Sequence, residues 1–234
     1  MLKKVRFILV SVITVFIVFL TSCHKDPSIA PVASTVSLVR SQVADSGYAT
    51  TFTYDSLGRQ IMAQIDTVVT TYTYSPSSVV KTVTLAGETF ITTYTTNASG
   101  KAVTDSKGYV YTYNSVGYLT SKSFTAVSNF DSVTYTVSGS NVITSVEHQA
   151  DSATNNYITT NYTYLSTIDS RNFGLAFLSS ANVNLISTEN IMQVINGSSY
   201  NASYTYTYSF DSKGRVTQQT INNGSASYVT TYSY

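Results

Sequence analysis

The sequence predicts an all-β fold, an antiparallel meander of hairpin repeats of about 20 residues each. Three observations support this prediction. Pairs of aromatic residues recur at a steady interval, aromatic and polar residues alternate within the segments that carry those pairs, and the composition combines 20 Tyr with only 11% charged residues. The predicted architecture is an open curled sheet or an incomplete barrel, covered near residues 172–195 by a short helical or irregular plug.

Six aromatic pairs, each with one residue between its two members, mark the repeat. The spacing from Tyr54 to Tyr74, and from Tyr74 to Tyr94, is 20 residues. Two strands of usual length with their two turns fill about 20 residues, so each unit is interpreted as one hairpin. The six pairs are Phe52 and Tyr54, Tyr72 and Tyr74, Tyr111 and Tyr113, Tyr162 and Tyr164, Tyr206 and Tyr208, and Tyr232 and Tyr234.

Three of the units carry a sharper turn, in which an Asp or Asn follows the aromatic pair and a Gly comes three residues later. The first residue type accepts backbone N–H bonds in a type I turn, and Gly adopts a positive φ readily, which closes a hairpin with a bulge. The fold alone explains these residues, so none of them is interpreted as catalytic. They are Asp55 and Gly58, Asn114 and Gly117, and Asp211 and Gly214.

The alternation predicts two different sheet faces. Tyr204, Tyr206 and Tyr208 point one way, while Thr205 and Thr207 point the other. We therefore expect a buried aromatic face and a hydroxyl-rich face in water, as is usual for antiparallel sheets.

The aromatic face requires a cover. Between residues 164 and 204 the alternation fails and the chain becomes strongly aliphatic. The favoured prediction is a short helix or irregular plug around 172–182 that packs on the aromatic face. The alternative is that this stretch lines a pocket for a lipophilic ligand.

The N-terminus resembles that of a bacterial lipoprotein precursor. Lys3, Lys4 and Arg6 precede an uncharged apolar run over residues 7–20, which is typical of a secretory signal and too short to span a membrane. Residues 20–23, Leu-Thr-Ser-Cys, resemble a lipobox. The resemblance implies a signal peptide over residues 1–22 and membrane attachment through acyl chains on Cys23.

Cys23 is the single cysteine of the chain, so disulfides and thiolate metal sites are excluded. The residues after it, His24, Lys25 and Asp26, resemble the surface-export tag of Bacteroidota lipoproteins, although Pro27 stands where the tag has a second acid. The expectation is an outer-membrane lipoprotein displayed at the cell surface, with a plain solvated tether as the alternative. Residues 23–34 form the lipidated tether, and residues 35–234 the β-meander domain.

The repeat itself resembles a known family. The pattern Tyr-x-Tyr-Asp-x-x-Gly-Arg, clearest at 52–61 and 204–217, resembles the YD repeat of Rhs-type and teneurin proteins. Together with the lipobox it resembles the YD-like β-meander lipoproteins of Bacteroidota. At 111–120 the likeness is weaker, because Asn114 and Tyr118 replace the Asp and Arg. The resemblance implies strand-and-turn geometry and no toxin role.

Composition argues against several functions. Signal cleavage removes three of the 13 basic residues and none of the 12 acidic ones, so the mature chain is slightly acidic and nucleic acid is not an expected partner. The two histidines, His24 and His148, are too few for a His-rich metal site, and no cofactor motif is present. Glu147 and His148 are adjacent on a predicted strand and point to opposite faces. We therefore predict a protein that is not an enzyme.

The Bacteroidota resemblance implies one covalent modification. Exported proteins of that phylum are O-glycosylated at Asp-Ser or Asp-Thr followed by an aliphatic residue. Four positions fit this pattern, although Asp-Ser also starts turns for structural reasons alone. The candidate acceptors are Ser56, Thr67, Ser132 and Ser152.

Three functions are compatible with the sequence. The favoured one is a membrane-anchored, non-catalytic binding or structural module whose partner is a glycan, an envelope protein or a host ligand. The alternative is a periplasm-facing carrier or chaperone that cradles lipophilic cargo on the aromatic face. A hydrolase with its site on loops is the third, because fold does not forbid activity.

The anchor gives the first testable prediction. Cys23→Ala removes the only lipidation site, so the protein should move from the membrane fraction to the soluble fraction. Detergent-free fractionation of whole cells measures this, with Ser22→Ala as the matched control that keeps the cysteine. Retention of the Cys23→Ala protein in washed membranes would show that acyl chains are not what holds it.

Overall fold

Sixteen antiparallel strands make up the fold, and a computed structural model describes residues 37–124, 132–148 and 156–234. The described residues contain no helix. It follows that none of them forms a helix long and apolar enough to cross a membrane. The strands are β1 (Ser41–Ala44), β2 (Ala49–Tyr54), β3 (Gln60–Ile65), β4 (Val68–Ser75), β5 (Ser78–Leu85), β6 (Glu88–Thr96), β7 (Ala102–Asp105), β8 (Tyr109–Tyr113), β9 (Leu119–Phe124), β10 (Ser132–Ser138), β11 (Asn141–His148), β12 (Tyr157–Ile168), β13 (Asn184–Ile195), β14 (Ser198–Phe210), β15 (Val216–Asn222) and β16 (Ser227–Ser233).

The predicted antiparallel meander is confirmed, because each strand pairs with its neighbours in the sequence. The predicted open sheet or incomplete barrel is wrong. β1 pairs with β16 in the register Ser41 with Ser233 and Ala44 with Thr230, and this pairing closes the barrel. Closure removes the two edge strands whose N–H and C=O groups an open sheet would leave unpaired.

The predicted helical or irregular plug near 172–195 is also wrong. Residues 184–195 are strand β13 of the wall, paired with β12 from Asn184 to Val194 and with β14 from Thr188 to Ile195. The aliphatic run was misinterpreted because a strand with apolar residues on both faces lacks the alternation of its neighbours. Residues 169–183, which connect β12 to β13, contain no helix. We call them the end loop.

β-Bulges interrupt the ladder at six junctions, each between an even-numbered strand and the next odd-numbered one. Alternate turns of a meander lie at the same end of the sheet, so all six bulges lie at one end of the barrel, which we call the bulge end. The far end carries the other turns, for example at residues 45–48 and 86–87.

The turns at Asp55 and Asp211 share one geometry. In the first, the Asp55 Oδ1 atom accepts hydrogen bonds from the backbone N–H groups of Leu57 and Arg59, both at 2.9 Å, and Gly58 has a φ of 74°. Asp211 makes the same bonds, and Gly214 has a φ of 75°. Asn114 replaces the acid with an amide that accepts the same two kinds of bond.

Two further turns of this type escaped the sequence pattern. Asn97 with Gly100, and Asp105 with Gly108, have the same side-chain bonds and positive φ values. Neither turn directly follows an aromatic residue, because Thr96 precedes Asn97 and Thr104 precedes Asp105, so the pattern that identified the other turns is absent.

The turn geometry gives the second prediction. Gly214→Val should lower the free energy of unfolding by about 1–2 kcal/mol or more, because a β-branched residue resists a positive φ. No steric clash with neighbouring residues adds to this backbone effect, since a Cβ atom at Gly214 would meet no heavy atom within 4 Å. Chemical denaturation measures the change, and Gly214→Asn is the control, because Asn tolerates this conformation. Equal midpoints for the two variants would refute the backbone explanation.

Candidate functional site: a tyrosine-lined lumen

The tyrosines of the repeat face the inside of the barrel. On β14, Tyr204 and Tyr206 are half-buried, while Thr205 between them is exposed. Directly paired residues on neighbouring strands point to the same side of the sheet, so the pairing identifies the inward residues of every strand. Glu189 pairs with Tyr204 and Ile221 pairs with Tyr206, so both face inward. The lumen is therefore lined with phenol rings, and the outward positions of β14 carry hydroxyl groups of Thr and Ser.

Phe177 of the end loop fills part of the lumen at the bulge end. Its ring lies 5.2 Å from the ring of Tyr94 and 6.0 Å from those of Tyr72 and Tyr74, all close to edge-on. Val79, Ala102 and Tyr111 complete a buried cluster with it. These residues form a small aromatic core at one end of a barrel whose other inward side chains are mostly only half-buried.

The end loop also accepts backbone N–H groups around the circumference of the bulge end. Each donor lies at, or within two residues of, the start of an odd-numbered strand. Three acceptors are backbone carbonyls and three are side-chain oxygens. The pairs are Val39 to Asn172 O (3.2 Å), Gln60 to Gly174 O (3.2 Å), Ala102 to Phe177 O (2.9 Å), Leu119 to Ser179 Oγ (3.2 Å), Val142 to Asn182 Oδ1 (2.8 Å) and Val216 to Ser170 Oγ (3.0 Å).

The second tyrosine of every aromatic pair donates its hydroxyl to a backbone carbonyl at the same end. Five of the six acceptors belong to residues that start an odd-numbered strand or lie within two residues of its start, and the sixth belongs to the end loop. The bonds run from Tyr54 to Val39 O, Tyr74 to Gln60 O, Tyr113 to Leu178 O, Tyr164 to Val142 O, Tyr208 to Ile186 O and Tyr234 to Val216 O.

Both sets of bonds satisfy backbone groups that lie outside the ladder. The bulges before β3 and β15 leave such groups at residues that water does not reach, since Gln60 is 2% exposed and Val216 is fully buried. Val39, which precedes β1, is fully buried as well. Buried backbone groups without partners are costly, so the end loop supplies the acceptors and the tyrosines supply the donors. Burial raises the pKa of Tyr54 and of Tyr74 to about 12, which keeps these donors protonated.

Arg171 fastens the end loop to the wall. Its guanidinium pairs with Asp169 at 2.7 Å and donates to Tyr232 Oη at 3.2 Å and to Gln219 Oε1. The arginine carbon Cζ also lies 5.5 Å from the ring centres of Tyr208 and Tyr232. The side chains of Arg171 and Asp169 are only 12% and 17% exposed, so this pair is well shielded from solvent screening.

The charged residues of the described strands all face the lumen. Each is paired directly with an inward residue or lies an even number of positions from one. The hydroxyl of Tyr111 donates to Asp105 at 2.7 Å, and that of Tyr206 donates to Glu189. The six are Lys81, Glu88, Asp105, Lys122, Glu147 and Glu189.

Towards the far end the lumen is not filled. Three aromatic side chains that share the inward face are exposed: Phe90 at 52%, Tyr200 at 59% and Tyr228 at 49%. Phe90 lies four residues before Tyr94 on β6, Tyr200 lies four before Tyr204 on β14, and Tyr228 is paired with Ile221. The barrel therefore combines a packed aromatic core at the bulge end with accessible rings beyond it.

The remaining candidate residues are dispersed. Ser56 and Thr67 are exposed in turns, Ser132 begins β10 and is half-buried, and Cys23 and Ser152 lie outside the described residues. Glu147 faces the lumen and His148 the outside, where its ring lies 6.2 Å from that of Tyr157. Within the described ranges no three His, Cys, Asp or Glu side chains are grouped to hold a metal ion.

Solved structures of porin-like proteins share this fold. One from Bacteroides uniformis matches with a TM-score of 0.55 and 18% identity, over 83% of this chain and 96% of that one. Another from Bacteroides vulgatus matches with a TM-score of 0.60 and 15% identity, over 84% and 98%. A Photorhabdus luminescens Tc holotoxin pore matches over 10% of its chain with a TM-score of 0.39. No protein-family model and no curated protein matches the chain.

The hydroxyl bonds give the third prediction. Tyr74→Phe leaves the buried carbonyl of Gln60 without its donor and should lower the free energy of unfolding by about 1–3 kcal/mol. Tyr72→Phe is the matched control, since no described residue accepts a bond from its hydroxyl, and it should change stability by less than about 0.5 kcal/mol. Urea denaturation compares the two. Equal losses would show that the ring and not the hydroxyl of Tyr74 matters.

Proposed function

We propose that the chain is a lipid-anchored module of the bacterial envelope whose barrel lies in water and binds a polar ligand in its lumen. One observation carries the proposal: the six charged side chains of the described strands all face the lumen, among the tyrosines. When a barrel lies in water, charged side chains are hydrated better on its outer surface than in its lumen, so stability alone does not favour inward charges. Their inward placement favours a ligand that they contact.

The outer wall supports a position outside the bilayer. A membrane-spanning barrel carries an apolar outer band about 25 Å tall, flanked by aromatic girdles. The outward positions of β14 are instead Ser199, Asn201, Ser203, Thr205 and Thr207. Placing their hydroxyl and amide groups in hydrocarbon would be unfavourable. We therefore propose a porin-like fold that is tethered to the membrane and not inserted in it.

The lining indicates a polyhydroxylated ligand, and we assign a glycan as the class. Aromatic rings stack against the apolar faces of sugars, while carboxylates, amines and phenols exchange hydrogen bonds with their hydroxyls. Phe90, Tyr200 and Tyr228 offer accessible rings at the far end, and Glu189 and Lys122 lie deeper on the same face.

The second candidate is a carrier or chaperone of lipophilic cargo. Its support is the exposure of three aromatic rings on the inward face. The lumen charges argue against it, because apolar cargo would strip water from Lys81, Glu147 and Glu189 without replacing their hydrogen bonds. The polar ligand is therefore the preferred proposal.

A non-catalytic role accompanies this proposal. Glu147 and Glu189 face the lumen opposite Ile158 and Tyr162, which lie four residues apart on β12. Four residues of strand span about 13 Å, too far for the two carboxylates to share a proton or flank a single bond. The module is proposed to sit at the outer membrane through Cys23, facing the cell surface, with a glycan or an envelope protein as partner.

The fourth prediction tests the lumen as the binding compartment. Phe90→Ala should weaken binding of a neutral hexasaccharide about tenfold, or ~1.4 kcal/mol, because it removes an inward ring. Ile91→Ala, next to it but outward and 61% exposed, should leave binding unchanged. The chain contains no Trp, so quenching of tyrosine fluorescence reports binding to a panel of maltohexaose, xylohexaose and cellohexaose.

Two controls separate the alternatives. An apolar dye that binds the wild-type protein and Ile91→Ala, but not Phe90→Ala, while no saccharide binds, would favour the lipophilic carrier. Stepwise conductance in planar bilayers, measured with detergent-free protein, would contradict the water-facing wall.

A further inference from the structure

Two turns of the bulge end neutralise their own cation. The Asp55 carboxylate binds the Arg59 guanidinium at 2.7 Å, and that of Asp211 binds Arg215 at 2.6 Å. Each guanidinium also lies over a tyrosine ring, 4.4 Å from the centre of Tyr74 for Arg59 and 4.6 Å from that of Tyr234 for Arg215. These cations are therefore occupied by the turn that carries them.

The turn between β6 and β7 places a cation at the same position without the acid. Asn97 takes the place of the aspartate and accepts the N–H of Lys101 at 3.0 Å, but an amide does not neutralise an ammonium group. The Lys101 Nζ atom instead donates to Ala176 O at 2.7 Å and lies 3.5 Å from Ser180 Oγ. It forms no ion pair with any residue that the structure describes.

The neighbouring turn is shaped to receive this side chain. A Cβ atom at Gly117 would lie 3.1 Å from Lys101 Cε and 3.1 Å from Ser180 Oγ, so a larger residue here would crowd both side chains. Three segments thus meet at one ammonium group: the β6–β7 turn, the β8–β9 turn and the end loop. Burial lowers the pKa of Lys101, as expected for a cation without a counter-charge.

Lys101 borders two clefts of about 510 Å³ each. The first has apolar walls from the rings of Tyr74 and Phe177 and from Pro76, with hydroxyls from Ser75 and Thr96. The second is lined by the amides of Asn97 and Asn114 and by Tyr113. Each volume lies in the range of small-molecule sites, and the first cleft combines an apolar surface with hydroxyls beside the charge.

We propose that Lys101 anchors a binding site for an acidic sugar at the bulge end, its ammonium group holding the sugar carboxylate and the first cleft holding the ring. The site is separate from the far half of the lumen and stands whether or not a glycan binds there. The carboxylate supplies the counter-charge that Asp55 and Asp211 supply in the other turns. The aromatic and hydroxyl walls of the cleft match the two faces of a sugar.

Calorimetric titration of the detergent-solubilised full-length protein with sodium glucuronate tests the site, with glucose as the neutral analogue. Asn97→Asp supplies the missing acid within the turn, as in the two self-neutralised turns, and should weaken glucuronate binding at least tenfold while preserving the fold. Asn223→Asp is the matched control, since Asn223 accepts backbone N–H groups in a far-end turn. Lys101→Arg should retain binding, and added salt should weaken it.

Preference for glucuronate over glucose, its loss in Asn97→Asp and its retention in Asn223→Asp would support the proposal. A rise in the Lys101 pKa on adding glucuronate, followed by NMR, would also support it. Absence of glucuronate binding, equal binding of glucose, or undiminished binding by Asn97→Asp would overturn it. Inorganic phosphate binding as tightly as glucuronate would overturn the assignment to a sugar, because the ring would then contribute nothing.

Discussion

The backbone groups left unpaired by the six bulges are the constraint on which the rest of the structure depends. Each bulge gives its turn room to close, but it also removes N–H and C=O groups from the ladder next to buried residues such as Gln60 and Val216. Several such groups without partners would cost as much as the net stability of a domain. The end loop supplies acceptors for these N–H groups, and the second tyrosines supply donors for these carbonyls.

This constraint also explains the sequence repeat. The first position of an aromatic pair is Phe at residue 52 and its hydroxyl partners vary in the other pairs, whereas the second position is Tyr in all six pairs and its hydroxyl donates to a backbone carbonyl in each. In five pairs the second tyrosine lies at or towards the end of one strand and its acceptor lies near the start of the strand before it. Tyr113 is the exception, because it donates to the end loop, which also accepts the N–H of Ala102 through Phe177 O.

The features that could be predicted from the sequence are those encoded by neighbouring residues. The turn residues Asp55 and Gly58 and the two-residue alternation of β14 depend on neighbours within a few positions, and both could be predicted. Closure could not, because it pairs Ser41 with Ser233, 192 positions away, and any strand ends could meet in this way. The role of the end loop was missed for a related reason: three of its six acceptors are backbone carbonyls, which every residue possesses.

The two ends of the barrel differ in how their inward side chains are packed. At the bulge end, Phe177 packs among the inward rings and Arg171 fastens the end loop to the wall, whereas Phe90, Tyr200 and Tyr228 are exposed towards the far end. Inward charges and accessible rings are the features on which the proposed binding role rests. The end loop residues that satisfy the bulges thus also give the bulge end a packed aromatic core that the far end lacks.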